Sequence, residues 1–550
     1  MSARNRSWAA VNLFVLLFGI SAILGVLPAY DPNLSARLLA AILGGVAIYF
    51  VLSELARSRA ALQLVCVLIL LVMSAFGLYI IVQFGYMDYT KGGLIVRLGQ
   101  ATTLLPDLHG FRPQPNAAAA FIEAAVPLGI ALTVSSRGTT ARVLLGAGTV
   151  VVLYALFLTA SRGAWVALAA AGGIFVALAV LKRLPGRIAL VIVAGGAAGV
   201  VAAFLGIAVL GPDRLPFLAS TFSRASDRSA LFHNSLYLAG DYAFTGIGLG
   251  DTFGMVYSRY GLLLYVPFLF YAHNLPLSVW LNQGIVGLTA FCGIVGALYL
   301  QVARVLRNGH GEPLFHGAWL GVTVMLLHGL TDAPEYSPSS IYVMPMLFVA
   351  AGLAAGWGRL AMAETAGKGP SGVHSVPRGL GIGLSLSLAV AALVVTFNPP
   401  LRATWHTNMG AIAETRGELG PGLSEGERAR LYASAQDEYL EALAIDAEQS
   451  HANRRLGNLL VKLDRFDAAV PRLEAAYRLE PDNPAAVKGL GLAYVWVGKT
   501  REAARLFLRL ADPPATAMEL QWWGFYRSQQ ERPLLSAYAY ETASAMIPTR

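Results

Sequence analysis

Charge is what this sequence has least of. Only 13% of its 550 residues are charged, about half the share an ordinary soluble chain carries. That scarcity argues against a soluble enzyme and against a solvated, disordered chain. Cysteine is nearly absent too. Cys66 and Cys292 each sit inside an apolar run, so neither a disulfide framework nor a zinc site is expected. What the chain has instead is apolar length, with 56% hydrophobic residues and a mean hydropathy of +0.57. The net charge of +9 does not imply a nucleic-acid partner. Its basic residues lie mostly in short loops between apolar runs, where they orient spans. Residues 8–28 resemble a signal peptide in place only. The run is long, lacks a clear small-residue cleavage site and leads straight into further apolar segments, so it reads as a first span.

About 11 spans are expected, at 8–29, 36–53, 61–83, 114–134, 142–159, 164–181, 188–210, 275–301, 314–331, 338–358 and 379–397. Each can cross roughly 30 Å of hydrocarbon as helix. A cytoplasmic N-terminus puts Arg57, Arg59, Arg137, Arg142, Lys182, Arg183, Arg187, Arg304, Arg307, Arg359 and Lys368 on the inner side, as the charge bias of short loops requires. Residues 84–113, 211–273 and everything after 397 then fall outside. Arg97, Arg112, Arg214, Arg224, Arg228 and Arg259 lie there against that bias. Chemistry would explain their retention, and so would simple solvation or contact with lipid headgroups. Residues 360–378, rich in Gly, Ser, Pro and charge, read as a linker.

The tail changes composition and repeats with a period of 34. Leu456-Gly457 recurs as Leu490-Gly491, Ala469 as Ala503 and Leu473 as Phe507. This resembles the tetratricopeptide repeat, with weaker flanking units at 416–449 and from 518, where Trp522 and Trp523 are expected to cap the stack. The expected organisation is all-α: a polytopic membrane domain over 1–400 with a large outer loop at 211–273, then a repeat domain over 401–550. The repeat domain could bind a partner or simply buttress the membrane domain.

Candidate chemistry collects at the outer boundary. His273-Asn274 precedes a long span carrying Gly284 and Gly287. An imidazole there can accept a hydroxyl proton, or be an ordinary interfacial histidine. Ser161-Arg162-Gly163 breaks two apolar runs, and an arginine at that depth needs a partner, a polar cavity or an anionic headgroup. Thr245-Gly246-Ile247-Gly248-Leu249-Gly250 has dinucleotide-like glycine spacing but no βαβ context, so close backbone packing is the better reading. Asp332 and Glu335 could orient a base or meet sugar hydroxyls, or only solvate a short loop.

Three signatures together resemble the O-antigen ligase and polymerase superfamily of bacterial membrane glycosyltransferases. They are Thr159-Ala160-Ser161-Arg162-Gly163, an outer loop with Arg228 and the stretch Tyr242 to Gly250, and His273-Asn274 followed after nine residues by Gly284-x-x-Gly287. Phe232 stands where the family commonly has tryptophan. The resemblance spans roughly residues 10–358 and implies a GT-C-like helical transferase in the bacterial cytoplasmic membrane. It implies an undecaprenyl-diphosphate-linked glycan donor and no metal or other cofactor. The acceptor is a lipid-linked glycan in polymerases, lipid A-core in ligases, or a protein hydroxyl in oligosaccharyltransferases. His273 would be the base or orienting group, with Arg162 and Arg228 gripping the diphosphate. Arg224, Arg112, Arg259, Asn274, Asp332 and Glu335 would serve substrate binding. Envelope assembly proteins are candidate partners of the repeats. A lipid-linked glycan transporter and a non-enzymatic scaffold are the rival readings.

Overall fold

The computed structural model describes residues 5–55, 58–87, 107–108, 110–181, 216–267, 269–309, 311–364 and 393–546. The expected spans at 188–210 and, up to residue 392, at 379–397 lie outside them, as do Arg97 and Arg214. The described residues form helices and no strand. The membrane part comprises α1 (Asn5–Leu24), α2 (Ala36–Glu54), α3 (Arg59–Gln83), α4 (Pro115–Ile122), α5 (Ala125–Ser135), α6 (Thr139–Leu158) and α7 (Arg162–Leu181). It continues with α8 (Pro216–Asp241), α9 (Phe253–Tyr260), α10 (Leu275–Arg307), α11 (Pro313–Gly329) and α12 (Met344–Glu364). Seven helical segments among the described residues are long and apolar enough to cross a membrane. The helix α1 contributes a shorter apolar stretch, Trp8–Leu24.

The helices pack because small residues let them approach. Helix α1 lies along α10, α2 along α12, and α3 along α6, while α11 touches α5, α7 and α12 and so runs through the middle. Large side chains such as Leu64, Val143, Val150, Val166 and Leu300 stay exposed on the perimeter. Such a surface would be an aggregation hazard in water and is an ordinary lipid-facing one in a bilayer. Helix α12 runs to Glu364, so the linker expected from 360 begins later. The described part of the expected outer loop contains two helices, α8 and α9.

Helix α10 is broken at Gly284, whose φ of 65° and ψ of −166° are not helical. The glycine-spaced turn occupies the break. The amide of Ile247 donates to the Leu281 carbonyl at 2.7 Å, and the amide of Ile285 donates to Phe244 O at 3.2 Å. A Cβ on Gly284 would come within 2.1 Å of Phe244 O, and one on Gly246 within 2.4 Å of Leu281 O. The glycines are there for backbone-to-backbone contact in conformations closed to other residues. Gly284→Ala should therefore lower stability by about 2 kcal/mol or more, readable as a drop in detergent melting temperature.

The tail is four helical hairpins: α13 (Pro399–Leu419) with α14 (Glu425–Ile445), α15 (Ser450–Lys462) with α16 (Phe466–Leu479), α17 (Pro484–Trp496) with α18 (Thr500–Phe507), and α19 (Pro513–Gln529) with α20 (Pro533–Met546). Gly457 abuts Leu473, and one period later Gly491 abuts Phe507, so the repeated residues do the same packing twice. The first hairpin starts at 399 rather than 416. Trp522 is 61% exposed and so does not cap the stack, whereas Trp523 packs edge-on to Trp496 at 6.1 Å.

The tail is docked on α8 and on the glycine turn. Asp241, the last residue of α8, is fully buried and accepts from Arg454 and Arg455, with His451 Nδ1 at 2.7 Å. Burial alone would raise its pKa, but the two guanidiniums and His451 outweigh it and hold the carboxyl well below the usual range. Asn408 Oδ1 accepts from the Phe244 and Thr245 amides, and the Tyr242 hydroxyl meets Thr415 Oγ1 at 2.5 Å.

Candidate active site

Five segments distant in sequence meet at one end of the bundle, where α11 stops and residues 330–336 turn. The ring of His273 precedes α10, and its backbone is left-handed, with φ 52°. That conformation is uncommon outside glycine and ends the extended approach so that α10 can start. Asn274 caps the new helix, its Oδ1 accepting from the Leu277 amide at 3.0 Å while its Nδ2 donates to Leu330 O at 3.0 Å. Both ends of that amide are thus used within the chain. Asn274 is a cap and a tie to the end of α11.

His273 Nδ1 lies 2.9 Å from Asp332 Oδ1. Asp332 is 1% exposed, takes a short hydrogen bond from Asn116 Nδ2, and has Arg228 Nη2 3.8 Å from its Oδ2. Burial would raise its pKa, but its hydrogen bond with His273 and the nearby Arg228 guanidinium hold it near 2. An ionised carboxylate on Nδ1 favours the tautomer with its proton there, which leaves Nε2 as an acceptor. Arg228 also donates from Nη1 to the Thr331 carbonyl at 2.8 Å. Its guanidinium is still partly exposed, with 43% of its side-chain area open.

The Ser161-Arg162-Gly163 break comes to the same place from α7. Ala160 before it is left-handed, with φ 53°. Ser161 Oγ lies 3.3 Å from His328 Nε2, and His328 Nδ1 lies 2.8 Å from Glu123 Oε2. A Cβ on Gly163 would meet Thr331 Oγ1 at 2.7 Å, so this glycine lets α7 seat against the 331–332 turn. Arg162 is exposed, and among the described residues it has no hydrogen-bond or ion-pair partner. A site with one partnered and one unpartnered guanidinium beside a histidine suits a phosphate-bearing ligand.

The other expected residues are distributed differently. Glu335 is 3% exposed, and its Oε2 has no hydrogen-bond partner. Burial pushes its carboxyl up to about 7, against its own backbone amide and His328, with Glu123 and Asp332 adding to the rise. Its stabilising protonation is complete below about pH 4.5 and is lost as pH rises through about 7. Glu335→Gln should flatten that loss, about 3 kcal/mol at most, in melts across that range. Arg112 pairs with Asp107 at 2.6 Å. Arg259 sits 3.2 Å from Glu418 of the tail, apart from the His273 cluster. Arg224 lies on α8 one turn before Arg228, but its side chain is outside the described residues.

Sequence reasoning missed Asn116, Glu123 and His328. Glu123 and His328 are ionisable residues inside apolar runs, a signal that by itself marks a candidate site.

Residues 147–292 match the O-antigen ligase family. The ligase match takes in Arg162, Arg228, the glycine turn and His273, and it ends within α10 before Asp332. Residues 462–517 match a tetratricopeptide repeat. No curated protein matches the chain. The ligase segment, together with the apolar helices around it, supports a multi-pass membrane protein that acts as a glycan ligase or polymerase.

Proposed function

We propose that the chain transfers glycan from an undecaprenyl-diphosphate-linked donor to a hydroxyl on a second lipid-linked glycan, at the non-cytoplasmic face of the bacterial inner membrane. The observation that carries this reading is the His273–Asp332 pair set between Arg228 and the Ser161-Arg162-Gly163 break. The side of the membrane follows from charge. Arg59, Arg142, Arg304, Arg307 and Arg359 sit at the helix ends opposite His273, where the charge bias expects the cytoplasm.

In the proposed reaction the acceptor oxygen attacks the anomeric carbon while His273 Nε2 takes its proton. The bond from that carbon to the diphosphate oxygen breaks, and its electron pair leaves with the diphosphate. Arg162 and Arg228 stabilise the charge that develops there, which is the work a divalent ion does in other transferases. Asp332 positions the imidazole and stays ionised. One displacement inverts the anomeric centre.

The test supplies purified full-length protein with a defined lipid-diphosphate oligosaccharide, with and without EDTA. A ladder of longer lipid-linked products that survives EDTA, with inverted new linkages by NMR, is expected. Arg162→Ala and Arg228→Ala should each lower turnover by about 10²–10³-fold. Retained configuration would rule out single displacement. One addition to a lipid A-core or protein acceptor would replace polymerase with ligase or oligosaccharyltransferase.

A further inference from the structure

Apart from the His273 cluster, residues 258–264 and the repeat helices α13, α15, α17 and α19 enclose a cleft of about 430 Å³. Its aromatic wall is continuous. Trp523 meets Trp496 at 6.1 Å and Tyr526 at 5.9 Å between ring centroids, and Tyr526 is 51% exposed. Its polar wall carries acceptors in Glu418 and Asp464 and donors in Asn458 and Gln530. Three arginines that line it, all more than nine-tenths buried, keep an N–H that no protein acceptor takes. These are Arg454 Nε, Arg455 Nη2 and Arg527 Nε, with Arg454 held by Asp241 through Nη2. Their other nitrogens are satisfied, Arg455 by Asp241 and Glu414 and Arg527 by Asp464 and Gln530. A buried donor left unbonded costs about 1–3 kcal/mol, and an oxygen-rich ligand in the cleft would offset it.

We propose that this cleft is a glycan subsite that holds a short stretch of acceptor or product away from the reacting end. A sugar offers C–H faces to the rings and hydroxyls that both donate and accept, which matches a wall of aromatics, carboxylates, amides and guanidiniums. Acidic and basic residues are mixed there, and the buried arginines already share Asp241, so a neutral ligand fits better than a highly charged one. The lip formed by residues 258–264 is nine residues from His273 along the same connection. A chain seated in the cleft therefore belongs to the same working surface. The proposal rests on the transferase reading, because glycan is the polymer that reaction handles.

The test is calorimetric titration of the purified full chain with lipid-free repeat-unit oligosaccharide, released by mild acid from the host's own surface polysaccharide and fractionated by size. Wild type and His273→Ala should bind alike. Trp523→Ala and Tyr526→Ala should each weaken binding at least about ten-fold, with Tyr526→Ala, at an exposed position, keeping the wild-type melting temperature. Equal binding by all four proteins, or loss only in His273→Ala, would overturn the subsite. So would transfer without any measurable binding of the free oligosaccharide. Binding that depends on Trp523 and Tyr526 in a protein that transfers nothing would keep the subsite and remove the transferase reading.

Discussion

Turnover should fall by about 10²–10⁴-fold in His273→Ala, and by nearly as much in Asp332→Asn, with the protein still folded in both. The two variants fail for different reasons. His273→Ala removes the acceptor of the proton, so its residual rate should follow a pH profile different from that of the wild type. Asp332→Asn keeps the ring but replaces the buried carboxylate that accepts from Nδ1 with an amide that can donate to it. The preferred tautomer then shifts its proton to Nε2, where a lone pair is needed. Asp332 also takes bonds from Asn116 and sits beside Arg228, so a purely structural role would show as a melting change with an unaltered pH profile. A pH–rate profile measured on both variants separates these cases.

Asp241→Ala should cost about 3–5 kcal/mol and loosen the tail. The carboxylate is fully buried, and its removal leaves Arg454 without its hydrogen-bonded counter-charge beside Arg455. Glu414 still accepts from Arg455 at 3.3 Å, whereas no second carboxylate is hydrogen-bonded to Arg454 among the described residues. The expected readouts are a lower melting temperature and faster limited proteolysis between the membrane part and the repeats. Activity should fall as well, because α8 carries Arg228 and ends at Asp241. Unchanged melting and proteolysis would mean that the tail is held by its other contacts, such as those of Asn408 and Thr415.

The apolar runs made the spans readable, and the 34-residue period made the repeats readable, because each is a local pattern that packing preserves. The glycine turn was also readable as a backbone contact, though not as the plug in the break of α10, since the kink at Gly284 depends on Phe244 lying forty residues away. His273 and Arg162 stood out because they sit at span junctions, and Arg228 because it lies in the outer segment against the charge bias. The sequence leaves Asp332 open between orienting a base and solvating a short loop, because neither its burial nor its partner, 59 residues upstream, is a local property. Asp241 was hidden for the same reason. Arg259 was legible only as an outward-lying arginine, because its neighbour, Glu418 of the tail, is distant in sequence. Asn274 carried a legible clue, since an asparagine two residues before a proline that opens a helix is a capping pattern.

The most direct test is to place the purified chain in proteoliposomes with a radiolabelled lipid-diphosphate oligosaccharide and measure product and released lipid diphosphate together. The account predicts one lipid diphosphate released for each glycan added to an acceptor, with both signals lost in His273→Ala. Movement of intact donor between leaflets, without release of lipid diphosphate, would contradict it and make the chain a transporter.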